Sequence, residues 1–236
     1  MQKIFCFGDG FAAGHIWPEW PQILQTLLPH HQIINTAGIG AGAEFLVSGF
    51  VDLIGSMRDS IIIFQWPETG KFDKLLEDDS WKNIIVSDPI YHFNINVDSQ
   101  ARSWWLSSGS KTQDVRHYHQ HYIHKQQHAR RQSIYQELVS QTSENLNCQI
   151  VHTSTESEML FGKHNRFSIT RQAEVQPSPI VHFHWLIEQI IPKINVTVDP
   201  NLQKELESLI NQTQWIPYDK NRESIWLDIN NRLKSS

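Results

Sequence analysis

The fold is decided by the opening stretch Ile4-Phe5-Cys6-Phe7-Gly8-Asp9-Gly10-Phe11-Ala12. An apolar run ends there in Gly-Asp-Gly, and apolar residues at helical spacing follow from Trp17 onward. This pattern predicts a buried strand, a tight turn and then a helix. Because ligands of open α/β sheets bind outside the carboxyl ends of the strands, we expect a site at the turn formed by Asp9 and Gly10.

Strand and helix patterns alternate from this stretch to residue 65. Apolar runs predict strands at 3–7, 32–35 and 60–65, and apolar residues at helical spacing predict helices at 18–28 and 43–57. This alternation is typical of a parallel sheet with right-handed crossovers. The continuous run Ile61-Ile62-Ile63-Phe64 indicates a strand that is covered on both faces.

The rest of the chain predicts an insertion, further core elements and an appendage. Residues 66–113 are polar and rich in turn formers, so we expect an insertion with small elements of its own. Patterns further on predict a helix over 114–145, a strand over 149–152, an irregular segment over 154–175, and a helix over 179–191 that ends at Pro192. Two short helices over 199–236 have apolar residues that could pack on the core or on a partner. We therefore expect an α/β domain over 1–195 and a C-terminal helical extension over 196–236.

Composition and charge argue against several classes of protein. The chain has 236 residues and a formal charge of -5, so it lacks the dominant basic field of a nucleic-acid binder. No stretch approaches the ~20 apolar residues of a membrane span, and the start of the chain lacks the apolar centre of a signal peptide. Cys6 and Cys148 each lie in an apolar stretch, which favours buried thiols over a disulfide framework. We therefore expect a soluble cytoplasmic protein with no membrane partner.

Four ordered blocks of the sequence resemble the SGNH (GDSL-like) hydrolases, particularly the variant common in phage and bacterial genomes. The blocks lie at 8–10, 35–42, 65–69 and 173–185, and the resemblance spans residue 3 to about residue 191. It implies a three-layer α/β/α sandwich with a parallel sheet of flavodoxin-like type. It also implies an ester hydrolase site with a Ser-His-Asp triad.

The first two blocks match the family at the nucleophile turn and at an oxyanion-binding glycine. The family's nucleophilic serine corresponds to Gly10, which has no side chain, and Asp9 corresponds to a residue that mostly bonds the turn backbone. Gly40 is the closest match to the glycine whose N–H donates to the oxyanion. The alternative for Gly40 and its neighbouring glycines is that they only permit a tight strand-to-helix turn.

The last two blocks depart further from the family pattern. Pro67 occupies the position of an asparagine that donates to the oxyanion, so we place Gln65 and Trp66 in the expected cleft, with the Gln65 amide as a substitute donor. In the fourth block the catalytic aspartate corresponds to Ala173 and the catalytic histidine to Gln176. His182 matches a family histidine that usually packs structurally.

All three triad positions are therefore lost, which argues against serine hydrolysis because triad members act as a unit. The resemblance then favours a catalytically degenerate protein that binds either a protein partner or an unknown ligand. A carbohydrate and an acyl ester are the candidate ligands. A phage accessory or virion-associated role fits the same resemblance. The alternative is an ester hydrolase or acyltransferase with rearranged groups, in which Glu174, His182 and a water would supply the base.

Two further patterns suggest chemistry that we do not expect here. Four histidines fall on one face of the helix predicted over 114–145, a spacing that can bind transition metals but more often gives a solvated polar face: His117, His121, His124 and His128. The glycine-rich run Gly38–Gly42 follows a strand, but no Lys-Ser or Lys-Thr pair follows it, which excludes a phosphate-binding P-loop. We therefore expect no metal site and no cofactor.

Overall fold

The computed structural model describes residues 1–10, 12–13, 17–38, 41–67, 71–75, 81–85, 104–105, 125–154, 166–168, 175–216 and 219–235. The strands are β1 (Lys3–Phe7), β2 (Gln32–Asn35), β3 (Ile61–Trp66), β4 (Lys71–Leu75), β5 (Trp81–Ile85), β6 (Trp104–Trp105), β7 (Gln149–Ser154), β8 (Arg166–Ser168) and β9 (Val175–Pro177). The α-helices are α1 (Trp20–Leu27), α2 (Ala43–Leu53), α3 (Lys125–Asn145), α4 (Pro179–Trp185), α5 (Ile191–Ile194), α6 (Pro200–Gln212) and α7 (Arg222–Ser235). A 3-10 turn follows α2 at Ile54–Ser56, and a π-helical turn joins α4 to α5 at Leu186–Ile190.

A parallel sheet of four strands, in the order β2-β1-β3-β7, forms the centre of the fold. β1 pairs with β2 on one side and with β3 on the other, and β3 also pairs with β7. The chain moves outward from β1 to β2 and then crosses β1 to reach β3, so the winding reverses between β1 and β3. Such a reversal leaves a crevice at the carboxyl ends of the two strands, where α/β proteins bind ligands.

Alternate side chains of the central strands enter two different helical layers, as expected for strands covered on both faces. Ile4 and Cys6 of β1 belong to one buried cluster, and Phe5 and Phe7 belong to the other. The first cluster includes residues of α1, α4, α6 and α7, and the second includes residues of α2 and α3. The predicted three-layer α/β/α sandwich is therefore confirmed.

The C-terminal helices pack on this core. Leu206 and Ile210 of α6 and Ile229 of α7 are buried in the same cluster as Ile4 and the apolar face of α1. Of the two options left open by the sequence, packing of these apolar residues on the core is the one observed. None of the described helices is long and apolar enough to cross a membrane.

The helix predicted to stop at Pro192 continues beyond it, so that prediction is wrong. The helical path runs from α4 through the π-helical turn into α5. It is capped by Asn195, whose φ is 51°. Pro192 lies in the first turn of α5, where a missing backbone N–H does little harm. A π-helical turn changes the hydrogen-bonding partners just before the proline, and this local change lets the helical path continue.

Three other boundaries differ from the predictions. β3 extends through Trp66, so this residue belongs to the sheet and not to the insertion. α2 ends at Leu53 and only a 3-10 turn follows, whereas the helix was predicted to reach residue 57. The segment predicted to be irregular contains β8 and the start of β9, which pair as a short antiparallel ribbon. The small elements expected inside the insertion are confirmed by β4, β5 and β6, which form a second sheet.

Candidate functional site

The turn after β1 is held by backbone hydrogen bonds at the carboxyl edge of the sheet. The N–H of Ala12 donates to the carbonyl of Asp9 at 3.0 Å, and the N–H of Gly38 donates to the carbonyl of Gly8 at 3.0 Å. The side-chain amide of Asn35, at the end of β2, donates to the carbonyl of Ala12 at 2.7 Å. The ends of β1 and β2 are therefore joined at the point where the sequence predicts a site.

Gly8 and Gln65 approach each other closely at the carboxyl ends of β1 and β3. A Cβ atom on Gly8 would lie 2.7 Å from Cβ of Ala12 and 2.9 Å from Oε1 of Gln65, which leaves no room for a side chain. Gln65 is fully buried, and its Oε1 accepts a hydrogen bond from the indole N–H of Trp20 at 3.0 Å. The Gln65 amide therefore lies beside the turn, with its oxygen bonded to the start of α1.

Buried polar side chains concentrate at this edge of the sheet. Glu19 precedes α1, and Thr153 lies opposite Gln65 in the register of β3 and β7. Ser178 directly precedes α4, and His182 lies in the middle of this short helix. Of the eight buried polar or charged residues found in the described parts of the chain, six lie here: Asp9, Glu19, Gln65, Thr153, Ser178 and His182. Since burying polar groups costs free energy, such a concentration is typical of a functional site rather than of an ordinary core.

Two tryptophans join the loop after β1 to the chain around α4. The indole N–H of Trp17 donates to the carbonyl of Pro177 at 2.8 Å. The ring of Trp20 packs edge-on against the ring of Trp185, with centroids 5.6 Å apart. The polar residues that precede and begin α4 are therefore held against the turn that follows β1.

Three buried polar atoms along α4 have no hydrogen-bond partner among the described residues: Oγ of Ser178, Nδ1 of His182 and Nε1 of Trp185. Residues three and four positions apart lie on the same face of a helix, so these atoms belong to one face. Each buried polar atom left unsatisfied costs about 1–3 kcal/mol, and native proteins usually satisfy such atoms with water or a bound group. These three atoms therefore have unused hydrogen-bonding capacity within the buried interior.

Burial lowers the pKa of His182 to about 3, so its imidazole is neutral near neutral pH. A base with such a low pKa accepts a proton poorly at neutral pH, because general-base efficiency follows basicity. His184, two residues further on, has its Nε2 3.6 Å from a carboxylate oxygen of Glu207 on α6. The two histidines therefore have different roles: one is buried in the core and the other faces α6.

A serine–histidine contact that the sequence analysis did not identify lies on the other face of the sheet. Nε2 of His152 in β7 is 2.8 Å from Oγ of Ser140 in α3, and the indole N–H of Trp66 donates to Nδ1 of His152 at 2.9 Å. In a catalytic triad the third residue accepts the Nδ1 proton, whereas an indole can only donate. Nδ1 of His152 is therefore unprotonated and Nε2 carries the proton, so His152 cannot take a proton from Ser140.

The structure places the predicted site residues on both faces of the sheet. Gly10 lies partly exposed in the turn and Asp9 is fully buried beside it. Gln65 faces the layer of α1 and α4, but Trp66, the next residue along β3, is buried against Phe64 and His152 in the layer of α2 and α3. Gln176 lies in β9 opposite Phe167, and its backbone directly precedes Pro177, which Trp17 contacts.

Several predicted residues fall outside the described part of the chain: Gly40, Ala173, Glu174, His117, His121 and His124. Within the described ranges, no group of three or more His, Cys, Asp or Glu side chains could hold a metal ion. Cys6 and Cys148 are free thiols, with Cys6 buried and Cys148 half-buried.

Comparison with known proteins gives no further identification. A scan against models of protein families finds no match to this chain, and a search among curated proteins finds none either. The fold and the site define the class as a three-layer α/β/α protein with a buried polar cluster at the carboxyl edge of its parallel sheet.

The close approach of Gly8 to Gln65 leads to a stability prediction. We expect Gly8→Ala to destabilise the protein by about 1–3 kcal/mol, because the new methyl group would overpack the contact with Ala12 and Gln65. Gly55→Ala is the matched control, since a Cβ there meets nothing within 4 Å. Urea unfolding followed by circular dichroism measures both changes. Equal free energies of unfolding for the two variants would show that the turn is not tightly packed.

Burial of His182 should make folding sensitive to acid. Its pKa falls from an ordinary value of 6.5 to about 3 on folding, so the unfolded chain takes up the proton first as the pH drops. The free energy of unfolding is therefore unaffected by His182 protonation above about pH 6.5. It decreases as the pH falls toward 3, by up to about 1.4 kcal/mol per pH unit. We expect His182→Leu to flatten this dependence in urea unfolding measured at several pH values. Ser178→Ala is the control, because it removes another unsatisfied polar group on the same face but no titrating group. It should retain the wild-type dependence of the free energy of unfolding on pH. An unchanged dependence in His182→Leu would contradict the assignment of the acid sensitivity to His182.

Proposed function

We propose that this chain is a catalytically inactive protein of the SGNH-hydrolase type that binds a ligand or a protein partner at the carboxyl edge of its sheet. The observation that carries the proposal is the buried polar cluster around Asp9, Gln65 and the unsatisfied face of α4. This cluster lies where the winding of the sheet reverses, which is the usual binding position in this class of fold.

The case against catalysis rests on the groups present at the triad positions. Gly10 has no side chain that could attack an ester, and Gln176 cannot serve as a general base. His182 is buried and has a pKa of about 3, which makes it a weak base at neutral pH. The serine–histidine pair of Ser140 and His152 has its proton on the wrong nitrogen for nucleophilic catalysis.

The chemistry of the cluster favours a polar ligand without negative charge. Trp185 offers an N–H donor, the Ser178 hydroxyl can donate or accept, and neutral His182 can do either according to its tautomer. The charged residues within the cluster are Asp9 and Glu19, whose carboxylates would repel an anionic ligand. Carbonyl and hydroxyl groups, as in acyl esters and carbohydrates, suit this set of partners. A phage accessory or virion-associated role belongs to the proposal on the strength of the sequence resemblance alone.

The first test is ester turnover. We expect the chain to hydrolyse p-nitrophenyl acetate no faster than an Asp9→Ala variant, because no residue replaces the lost nucleophile. The triple variant Gly10→Ser/Ala173→Asp/Gln176→His should gain at least ~100-fold over the wild type, since a positioned base alone contributes that much. Hydrolysis by the unmodified chain well above the Asp9→Ala control would refute the inactive assignment and support the alternative, an ester hydrolase with rearranged groups.

The second test is binding, observed through the indole N–H signals of ¹⁵N-labelled protein. Titration with phenyl acetate and, separately, with N-acetylglucosamine should shift the signals of Trp17, Trp20 and Trp185, which lie around the cluster. Trp215, which follows α6, packs against Trp226 of α7, and these two indoles are internal controls that should not move. Saturable shifts confined to the first group support the site. No shift with either probe, or equal shifts at all five indoles, would count against a binding site for these ligand classes.

A further inference from the structure

A continuous chain of side-chain hydrogen bonds connects the end of β3 to the middle of α3. The indole N–H of Trp66 lies 2.9 Å from Nδ1 of His152, and Nε2 of His152 lies 2.8 Å from Oγ of Ser140. The Ser140 hydroxyl in turn lies 2.8 Å from the backbone carbonyl of Gln136, one turn earlier in α3. The indole of Trp66 also stacks on the imidazole, with ring centroids 5.8 Å apart.

The chemistry of the two ends determines where every proton in this chain lies. An indole nitrogen is only a donor, so Nδ1 of His152 must be the bare nitrogen. A neutral imidazole carries one proton, so Nε2 bears it and donates to Ser140. The Ser140 hydroxyl then donates to the Gln136 carbonyl, which is only an acceptor. The hydrogen bonds therefore all point the same way, from Trp66 toward the Gln136 carbonyl, and the donor and the acceptor of each bond are fixed.

We propose that His152 is a proton-operated latch that ties α3 to β3, and that acid opens it. A second proton on the imidazole must occupy Nδ1, where it would point at the N–H of Trp66. Two donors cannot share that contact, so the contact opposes protonation of the ring. If the ring does take up the proton, it must separate from Trp66. Rupture of this bond would leave the indole N–H of Trp66 without its acceptor at the last residue of β3, one position beyond Gln65 of the proposed binding site.

The surroundings of the ring contain little charge that could offset this effect. The strands that flank the ring, β3 and β7, have no charged residue over Ile61–Trp66 or Gln149–Ser154. On α3 the charged residues within one turn of Ser140 are Glu137 and Glu144, and both are exposed to solvent. Burial lowers the pKa of His152, in the same direction as the opposing Trp66 donor. The latch is therefore expected to open below the ordinary titration range of histidine.

The contacts of α3 show how far the effect of opening reaches. Arg131, on the N-terminal half of α3, forms an ion pair at 2.9 Å with Glu44 in the first turn of α2. The C-terminal half of α3 is anchored separately, because Val139 and Ser143 are fully buried. Ser140 lies in this anchored half, and Nε2 of a protonated His152 would still donate to it, so opening breaks the bond to Trp66 while α3 and its ion pair with α2 stay in place.

Nuclear magnetic resonance of the full chain tests the latch. The ring protons of His152 report its titration, and the indole N–H of Trp66 reports the hydrogen bond, as the pH falls from about 7.5 to about 4.5. We expect the Trp66 signal to move with the His152 titration, with a midpoint below the ordinary histidine value of 6.5. In Trp66→Phe the opposing donor is absent, so the midpoint should rise toward 6.5, whereas the matched Trp226→Phe should leave it unchanged.

Two further variants separate the latch from other acid effects. His152→Asn keeps an oxygen that can accept from Trp66 but does not titrate in this range, so its Trp66 signal should stay constant with pH. The series is repeated in a His182→Leu background, which removes the acid destabilisation that His182 contributes. A Trp66 signal that is unchanged when His152 is protonated would overturn the proposal. So would a midpoint that is the same in Trp66→Phe and in the wild type.

Discussion

The whole structure depends on the pairing of β1 with β3, two strands that are apolar on both faces. Their register brings Ile4 opposite Ile61 and Phe7 opposite Phe64, and alternate side chains enter the two clusters that bind the helical layers. Strands that are apolar on both faces are hidden from water when helices cover both sides of the sheet, as they do here. The same pairing places the reversal of winding, and hence the crevice, between the carboxyl ends of these two strands.

The polar cluster at that crevice is a direct consequence of close packing at the strand ends. Gly8 has no side chain, and this lets the buried amide of Gln65 approach the turn and accept the indole N–H of Trp20. Trp20 then packs on Trp185, whose own N–H has no partner in the described part of the chain, on the same helical face as Ser178 and His182. The three groups without a partner oppose folding, and the proposed binding role would account for their presence at one edge.

Much of the sheet could be predicted from the sequence, because hydrophobic periodicity is a local property. β1 and β2 have the bounds that their apolar runs predict, and β3 differs by one residue at each end. That one residue matters for the site, since strand alternation sends Gln65 and Trp66 to opposite faces although both were placed in the cleft. The continuation of the helix through Pro192 was missed because the π-helical turn that permits it leaves no signal in the sequence. The contact of Ser140 with His152 was missed for a different reason: it depends on how α3 docks on β7, which no local pattern encodes.

The buried His182 and the half-buried His152 show that burial and hydrogen-bond direction are separate constraints. Burial lowers the pKa of both His182 and His152, so each opposes protonation in the folded state. Nδ1 of His182 has no partner among the described residues, which leaves its tautomer open to whatever polar group approaches α4. Nδ1 of His152 accepts from an indole, which fixes the tautomer and removes basicity toward Ser140. A serine beside a histidine is therefore not by itself a catalytic pair, because the residue on the far side of the imidazole decides which nitrogen can accept a proton. By this reasoning the serine–histidine contact offers no activated nucleophile, and the atoms with unused hydrogen-bonding capacity lie instead along the buried face of α4.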